Sequence, residues 1–294
     1  MKVTINSVRD IAEHKPPQKE YENWMADLKD PSVVKNITKN FQVAKVADQD
    51  MFTDKEMEWI YAYAFNQCRT VRHNDNGTIF ISGNLQGVYE KFADRINEIL
   101  PGADNSLTVM GNYFITPSQY GLHNDSTRQH DWENTLEETP RNSDKRKWVP
   151  WRNIIIPIFT APAGTNSQAV FFSQRHVDYA HVYNHGVDTG QEIATTYPIV
   201  TDHTDIQFYD VDGNAIPREN NSIPYDKQHY DRYLYYTPYR RLTGLTPETT
   251  CNWVPKRPIV FDAVQLHATN KGSKENQWNV KMGLLLKFMR SIEE

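Results

Sequence analysis

Cysteine is nearly absent: Cys68 and Cys251 are the only two among 294 residues, and they lie far apart. Such a pair makes neither a disulfide framework nor a thiolate zinc motif. Their spacing leaves a single bridge open, but two unpaired, partly buried thiols are the expected state, because free cysteine is among the most buried residue types. Long apolar runs are missing too. No stretch approaches membrane-spanning length, and Met1 to Asp10 lacks the apolar centre of a signal peptide, so the expectation is a cytoplasmic protein without membrane contact. Nor does charge of one sign accumulate: 37 acidic against 32 basic residues give a net charge of -5, which argues against a broad nucleic-acid footprint.

Aromatic residues, by contrast, are plentiful. They make up 12% of the chain, with 7 Trp and 16 Tyr, in a sequence whose mean hydropathy is polar at -0.71. That combination suits long polar loops around an aromatic-lined interior. The length fits one large or two modest domains, and a single all-β core of about 200 to 250 residues with additions lies within range.

Residues 1–40 read as a polar extension, interrupted by Pro16-Pro17 and anchored by Trp24, with a short helix over Tyr21 to Leu28; residues 41–294 read as one domain. Phe41 to Val46 alternates as a strand. Thr53-Asp-Lys-Glu56 is a capping box, and the helix it opens carries an apolar stripe of Met57, Ile60, Tyr61 and Phe65. A short strand over Thr78 to Ile81 precedes a second helix from Leu85 to Leu100. Its stripe of Leu85, Val88, Tyr89, Phe92, Ile96 and Ile99 ends at Pro101-Gly102. Strand signals then follow at Leu107 to Ile115, Asn153 to Phe159, Ala169 to Phe172, Pro258 to Phe261 and Asn279 to Phe288. Two helices packed on one sheet, then short strands with turn-rich connections, predict a mainly β (α+β) core, a sandwich or jelly roll. Two polar segments interrupt the pattern: Ser126 to Lys147, placed as a lid or substrate loop, and a long insertion over residues 177–253 that is too long to be a bare loop.

The chemistry centres on Gly111 to Asp125, an aromatic strand ending in His123-Asn124-Asp125. On a strand the period of two turns His123 and Asp125 to one side, so an imidazole and a carboxylate can grip one metal ion. His267, at the end of another short apolar run, supplies the third candidate. Two His and one carboxylate on one face of an ion, with the opposite positions open, is the facial arrangement of non-haem Fe(II) oxygenases. A second His-x-Asp, His203-Thr-Asp205, competes for the same role. Two strong strand candidates separate His123 from His267, whereas poor strand material separates His203 from it. The first copy is therefore preferred, and His203 and Asp205 are assigned to the insertion. His130, His176, His181, His185 and His229 have polar surroundings and read as surface or hydrogen-bonding residues.

The order Asn112-Tyr113, Gly121 to Asp125, Arg152 to Phe159, a turn at Gly164, Ala169 to Phe172, Pro258 to Phe261, His267 and Lys281-Met-Gly283 resembles the Fe(II)/2-oxoglutarate-dependent dioxygenase superfamily, and most of all its prolyl-hydroxylase-like branch. The likeness covers roughly Phe41 to Phe288 and skips the insertion. It implies a double-stranded β-helix in which His123, Asp125 and His267 hold Fe(II). It also implies 2-oxoglutarate as cosubstrate, O2 as oxidant, and hydroxylation of an unidentified small molecule or peptide with release of succinate and CO2. Lys281 fits the basic residue on the last core strand that pairs with the far carboxylate of the cosubstrate. Independently of the family, an ammonium facing a barrel interior needs a buried anion, and Gly283, two places on, would leave room for it. Tyr113, one strand over, is expected to donate its hydroxyl to the same carboxylate. Two other readings stay open: a non-catalytic jelly-roll binding module, and a cupin-like metalloenzyme that does not use 2-oxoglutarate.

Overall fold

In the computed structural model the described residues are 25–73, 78–116, 121–126, 147–161, 167–178, 182–183, 199–200, 205–270 and 280–292. The first helix, α1 (Pro31–Thr38), starts where local chemistry favours it: the Asp30 carboxylate accepts from Ser32 N and a proline occupies the first turn. The helix expected over Tyr21 to Leu28 does not form in its described part. Met25 instead bridges Trp148 as extended chain, and Ala26 N donates to Trp148 O. The start signal of Asp30-Pro31 outweighs the weak periodicity before it.

After β1 (Lys45–Val46), the capping box opens α2 (Asp54–Gln67): Thr53 N donates to Glu56 Oε2 at 2.8 Å, and Glu56 N donates to Thr53 Oγ1 at 3.3 Å. The stripe this helix buries is Met57, Ile60 and Ala64. Tyr61 and Phe65, expected in the core, are 41% and 58% exposed. The helix is rotated so that alanine, not the aromatics, meets the sheet closely. Strands β2 (Cys68–His73) and β3 (Ile79–Gly83) lead to α3 (Gln86–Ile99), which buries Val88, Tyr89, Phe92 and Ile96 as its spacing predicts. Gly102, at φ 89°, turns the chain out of this helix.

The remaining strands are β4 (Ser106–Thr116), β5 (Lys147–Ala161), β6 (Gln168–Arg175), β7 (Val182–Tyr183), β8 (Ile199–Val200), β9 (Pro247–Asn252), β10 (Ile259–Asp262), β11 (Gln265–Thr269) and β12 (Val280–Ile292). The major sheet has the order β1-β10-β5-β12-β4-β3-β2, and the minor sheet has the order β11-β6-β9. His123 extends the minor sheet by one antiparallel bridge to His267. In chain order, β4, the His123 stretch, β5, β6, β9, β10, β11 and β12 visit major, minor, major, minor, minor, major, minor and major sheets. That is the winding of a double-stranded β-helix, or jelly roll, with antiparallel pairing throughout these two sheets.

Both helices α2 and α3 cover the outer face of the major sheet, against Tyr113, Ile154, Ile156, Leu284, Leu286 and Phe288. Between the sheets lie Ile155, Ala169, Phe171, Trp253, Ile259, Phe261 and Leu285. The alternation of Ile154, Ile155 and Ile156 across these two clusters is the period of two in a strand buried on both sides. Beyond the minor sheet, Phe208, Tyr225, Leu234, Leu242 and Leu245 of the long insertion close over Val170, Phe172 and Leu266. Pro247–Asn252, expected inside the insertion, is a core strand, paired with β6 from Gln168↔Asn252 to Phe172↔Pro247.

Candidate metal centre

Backbone pairing brings the first two candidate ligands together. His123 N donates to His267 O at 3.0 Å and His267 N donates to His123 O at 2.9 Å, so the two residues face each other across the seam of the minor sheet. Their rings lie 4.1 Å apart between centroids. Asp125 N donates to Ala263 O at 3.1 Å, which ties the third residue to the turn between β10 and β11. One ligand atom from each of His123, Asp125 and His267 falls within 4.8 Å of the other two. The carboxylate bridges the imidazoles, with Oδ1 3.7 Å from His123 Nε2 and Oδ2 3.3 Å from His267 Nε2.

Each ring nitrogen facing away from this cluster meets a carbonyl. His123 Nδ1 lies 2.7 Å from Gly121 O and His267 Nδ1 lies 3.1 Å from Gln265 O. A proton on Nδ1 satisfies each carbonyl and leaves the Nε2 lone pair directed at the cluster, the tautomer a metal ligand requires. Phe171 stacks on the His267 ring at 5.4 Å and Phe261 meets it edge-on at 4.8 Å, which fixes the ring plane. Burial by itself would raise the Asp125 pKa. The charges and hydrogen bond offered by His123 and His267, with a further contribution from Lys287, outweigh burial and hold the carboxyl well below its usual range. Solvent reaches the cluster through side chains that are 11% exposed at His123 and 16% exposed at Asp125. The chain beyond Asp125 is pinned: Asn124 Nδ2 donates to His176 O at 3.4 Å and Ser126 Oγ donates to Asp178 O at 2.5 Å.

Lys281 lies on the inner face of β12 with 1% exposure, and its Nζ donates to Asn270 O at 3.0 Å. Burial pushes its pKa down to about 7, and no acidic group among the described residues offsets that burial. Two further buried donors nearby lack partners: Trp253 Nε1 and Ser167 Oγ. Trp253 N donates to Ser167 O, Asn270 N donates to Gln168 O, and Gln168 N donates to Asn270 Oδ1, so these residues form one corner of the barrel floor. The space expected beside Gly283 is occupied. A Cβ there would meet Trp253 Cζ2 at 2.7 Å and Phe114 Cζ at 2.9 Å, so the glycine admits two rings where an open gap was expected.

Tyr113 is placed away from Lys281. It pairs with Leu284 and Ile81 and shares their helix-covered face, where its hydroxyl lies 2.7 Å from Met282 Sδ and its ring meets Tyr61. Lys281 belongs to the opposite, inter-sheet face with Gly283 and Leu285, whose partners on β4 are Thr116, Phe114 and Asn112. The expectation that Tyr113 serves the same carboxylate therefore fails on the parity of β4. Of the competing His-x-Asp copy, His203 lies outside the described residues, as do His130, His181 and His185; Asp205 is exposed and is no part of the cluster. His229 is half-buried, with Tyr225 Oη 2.7 Å from its Nδ1, in line with a hydrogen-bonding role. Cys251 is a buried free thiol. A cleft of about 600 Å³ lined by Gln174, Ile216, Ile223 and Thr246 is bordered by the insertion and contains none of the triad.

Two inward polar residues were not singled out as candidates from sequence: Asn153, which opens the Ile154-Ile155-Ile156 run, and Trp253. Lys287 was visible as a second base, six residues after Lys281 and therefore on the same strand face. No helix among the described residues is long and apolar enough to cross a membrane.

No protein-family model matches the sequence, and no curated protein matches it. Among solved structures the chain is similar to the non-heme alpha ketoglutarate dependent epimerase SnoN from nogalamycin biosynthesis, at 8% identity and a TM-score of 0.43 over 89% of this chain and 84% of that one. It is also similar to a prolyl-4-hydroxylase of Pseudomonas putida, at 9% identity and a TM-score of 0.36 over 88% of this chain and 97% of that one. A third likeness is HygX from Streptomyces hygroscopicus, crystallised with nickel, 2-oxoglutarate and hygromycin B, at 10% identity and a TM-score of 0.39 over 88% and 86% of the two chains. Likeness at this level carries no weight for activity, which rests on the geometry of this chain's own residues.

Proposed function

We propose that the chain is an Fe(II)- and 2-oxoglutarate-dependent oxygenase that hydroxylates a second substrate, a small molecule or peptide, while 2-oxoglutarate and O2 become succinate and CO2. The observation that carries this reading is the convergence of His123, Asp125 and His267, with ligand atoms within 4.8 Å, between the two sheets of a jelly roll. Two neutral imidazoles and one carboxylate form a donor set suited to Fe(II) and leave the opposite side of the ion open. When bound, Fe(II) with 2-oxoglutarate and O2 supplies an oxidant able to attack an unactivated C–H bond.

The protein's own residues hold and orient. His123 and His267 present Nε2 because the carbonyls of Gly121 and Gln265 take the Nδ1 protons. Asp125 offers the one carboxylate of the set. Lys281 supports the cosubstrate assignment: among the described residues, a buried ammonium with no acid beside it, together with Trp253 Nε1 and Ser167 Oγ without partners, makes a corner suited to an anion. Its Nζ sits at Asn270 O, three residues along from His267, or about 10 Å at strand rise. That is the scale on which a five-carbon dicarboxylate reaches from a metal ion to an ammonium. The aromatic walls Phe171, Phe261 and Trp253 exclude water between these two ends.

Anaerobic titration of the full chain with Fe(II) and then 2-oxoglutarate tests the reading. The expected result is a weak visible charge-transfer band that needs both additions, followed by succinate formation in air. Absence of the band, together with no succinate, would sink it.

A further inference from the structure

We propose that the seam between α1 and the major sheet binds one small inorganic anion, of the size of chloride, on Trp151 Nε1, Arg152 Nε and the Arg290 guanidinium. The inference stands apart from the oxygenase reading, since no member of the triad lines this place.

The site begins with an irregularity in β5. Phe288 of β12 pairs with Arg152 and Met289 pairs with Pro150, so Trp151 is the extra residue of a β-bulge. A bulge breaks the alternation of side chains along a strand. Here Trp151 and Arg152, consecutive in sequence, wall the same small cavity, together with Arg290 of β12 and with Asn36 and Asn40 at the end of α1. Its volume is about 10 Å³, room for one water-sized particle. Trp151 is 8% exposed and Arg152 2%, and Trp151 Nε1 and Arg152 Nε are both buried without a hydrogen-bond partner. Two such donors at one cavity call for an acceptor.

The chemistry of that acceptor follows from what surrounds it. An indole N–H and a guanidinium only donate. Nearby carbonyls are already engaged: Asn36 O accepts from Asn40 Nδ2, Asn40 O from Arg152 Nη2 and Trp151 O from Arg152 Nη1. A water would accept from the two donors while its own protons compete for occupied carbonyls, whereas an anion only accepts. Charge points the same way. Three guanidinium groups, Arg152, Arg175 and Arg290, gather here against two carboxylates: Asp262 is shared by Arg152 and Arg175, and Glu248 pairs with Arg175. Arg290 has no acidic partner among the described residues, and its guanidinium lies 4.1 Å from the Trp151 ring. Burial, with the charges of Arg290 and Arg175, holds the Arg152 pKa below its ordinary value in spite of Asp262. One monovalent anion brings the group to neutrality. Because the cavity joins α1 to the sheet, the anion also fastens the N-terminal arm to the barrel.

The experiment compares melting temperatures of the full chain in sodium chloride and in sodium gluconate of equal concentration, gluconate being too bulky for the cavity. Chloride should raise the melting temperature by about 3 °C over gluconate once it stands about tenfold above its dissociation constant, and bromide should do the same. Trp151→Phe keeps a ring but loses the N–H, and Arg290→Gln removes the charge from a partly exposed side chain. Both variants should lose the difference between the salts, whatever their melting temperature in gluconate. A crystal grown in bromide should show an anomalous peak beside Trp151 Nε1 and Arg152 Nε. Equal melting of the wild type in the two salts, a chloride effect that both variants keep, or an ordered water at that position without a bromide peak overturns the proposal.

Discussion

The role proposed for Lys281 gives 2-oxoglutarate binding a pH dependence that can be worked out in advance. Burial brings the Lys281 pKa down to about 7, and pairing with a carboxylate needs the protonated form. The apparent dissociation constant of 2-oxoglutarate then scales inversely with the protonated fraction, that is, as one plus ten to the power of pH minus pKa. Raising the pH from 6 to 8 should weaken binding about tenfold, or about 1.4 kcal/mol. The metal ligands titrate in the opposite sense, since imidazoles lose competing protons as pH rises, and saturating Fe(II) removes their contribution. Titrating the charge-transfer band in buffers of constant ionic strength measures the constant. Calorimetry in two buffers of different ionisation heat should find close to one proton taken up at pH 8 and close to none at pH 6. The Lys281→Met variant should lose the slope and, at pH 6, bind about 10- to 100-fold more weakly, the value of a charge-assisted hydrogen bond. The same shift governs stability: between about pH 7 and the unfolded value of 10.5 the unfolded chain holds a proton that the folded chain lacks, so wild-type stability rises with pH across that window, and the variant loses the rise. A wild-type affinity that is flat from pH 6 to 8, or a variant that keeps the slope, would refute the role given to this residue.

Other expectations are more direct. His123→Ala, Asp125→Ala and His267→Ala should each lower Fe(II) affinity at least about a hundredfold in equilibrium dialysis, while His203→Ala leaves it intact; loss on the His203 change instead would mean that the wrong His-x-Asp copy was chosen. Asp262 is completely buried between Arg152 and Arg175, so Asp262→Ala takes the carboxylate from Arg152 and leaves Arg175 with Glu248 alone; it should cost about 3 to 5 kcal/mol, read as a fall of roughly 10 °C in melting temperature. Gly283→Ala drives a methyl group against Trp253 and Phe114 and should cost about 1 to 3 kcal/mol with an altered tryptophan emission; an unchanged melt would show that both rings can give way.

The core strands and the helix α3 were legible in the sequence because their burial is one-sided or continuous, and periodicity reports burial. The convergence of His123, Asp125 and His267 was legible from chain order together with the family resemblance: a His-x-Asp before two strong strands, and a His after them. Tyr113 was misplaced for a physical reason. The run Asn112-Tyr113-Phe114-Ile115 is aromatic or apolar on both faces, so a period of two names two faces without saying which is inside. On the helix α2 the apolar stripe is wide enough to include Tyr61 and Phe65, but the face that is buried runs through Met57, Ile60 and Ala64. β9 was hidden because Glu248, Thr249 and Thr250 look like loop, and of the whole strand only Cys251 is buried, packed between the sheets. Asn153 gave no sign of its complete burial, since a single polar residue before three isoleucines reads as a strand end until the register shows what stands on either side.

Strand β12 lies at the middle of the major sheet, between β5 and β4, and carries Lys281 and Lys287 on its inner face. It is also the last of the described strands in the chain. A ribosome therefore delivers the rim of the sheet before its centre, and β4 and β5, which never pair with each other, must wait with open edges for residues 280–292. Such late, long-range closure makes for slow folding and leaves edges exposed in the meantime. A chain cut short before β12 would hold His123, Asp125 and His267 but neither Lys281 nor Lys287, and β4 and β5 would remain unjoined.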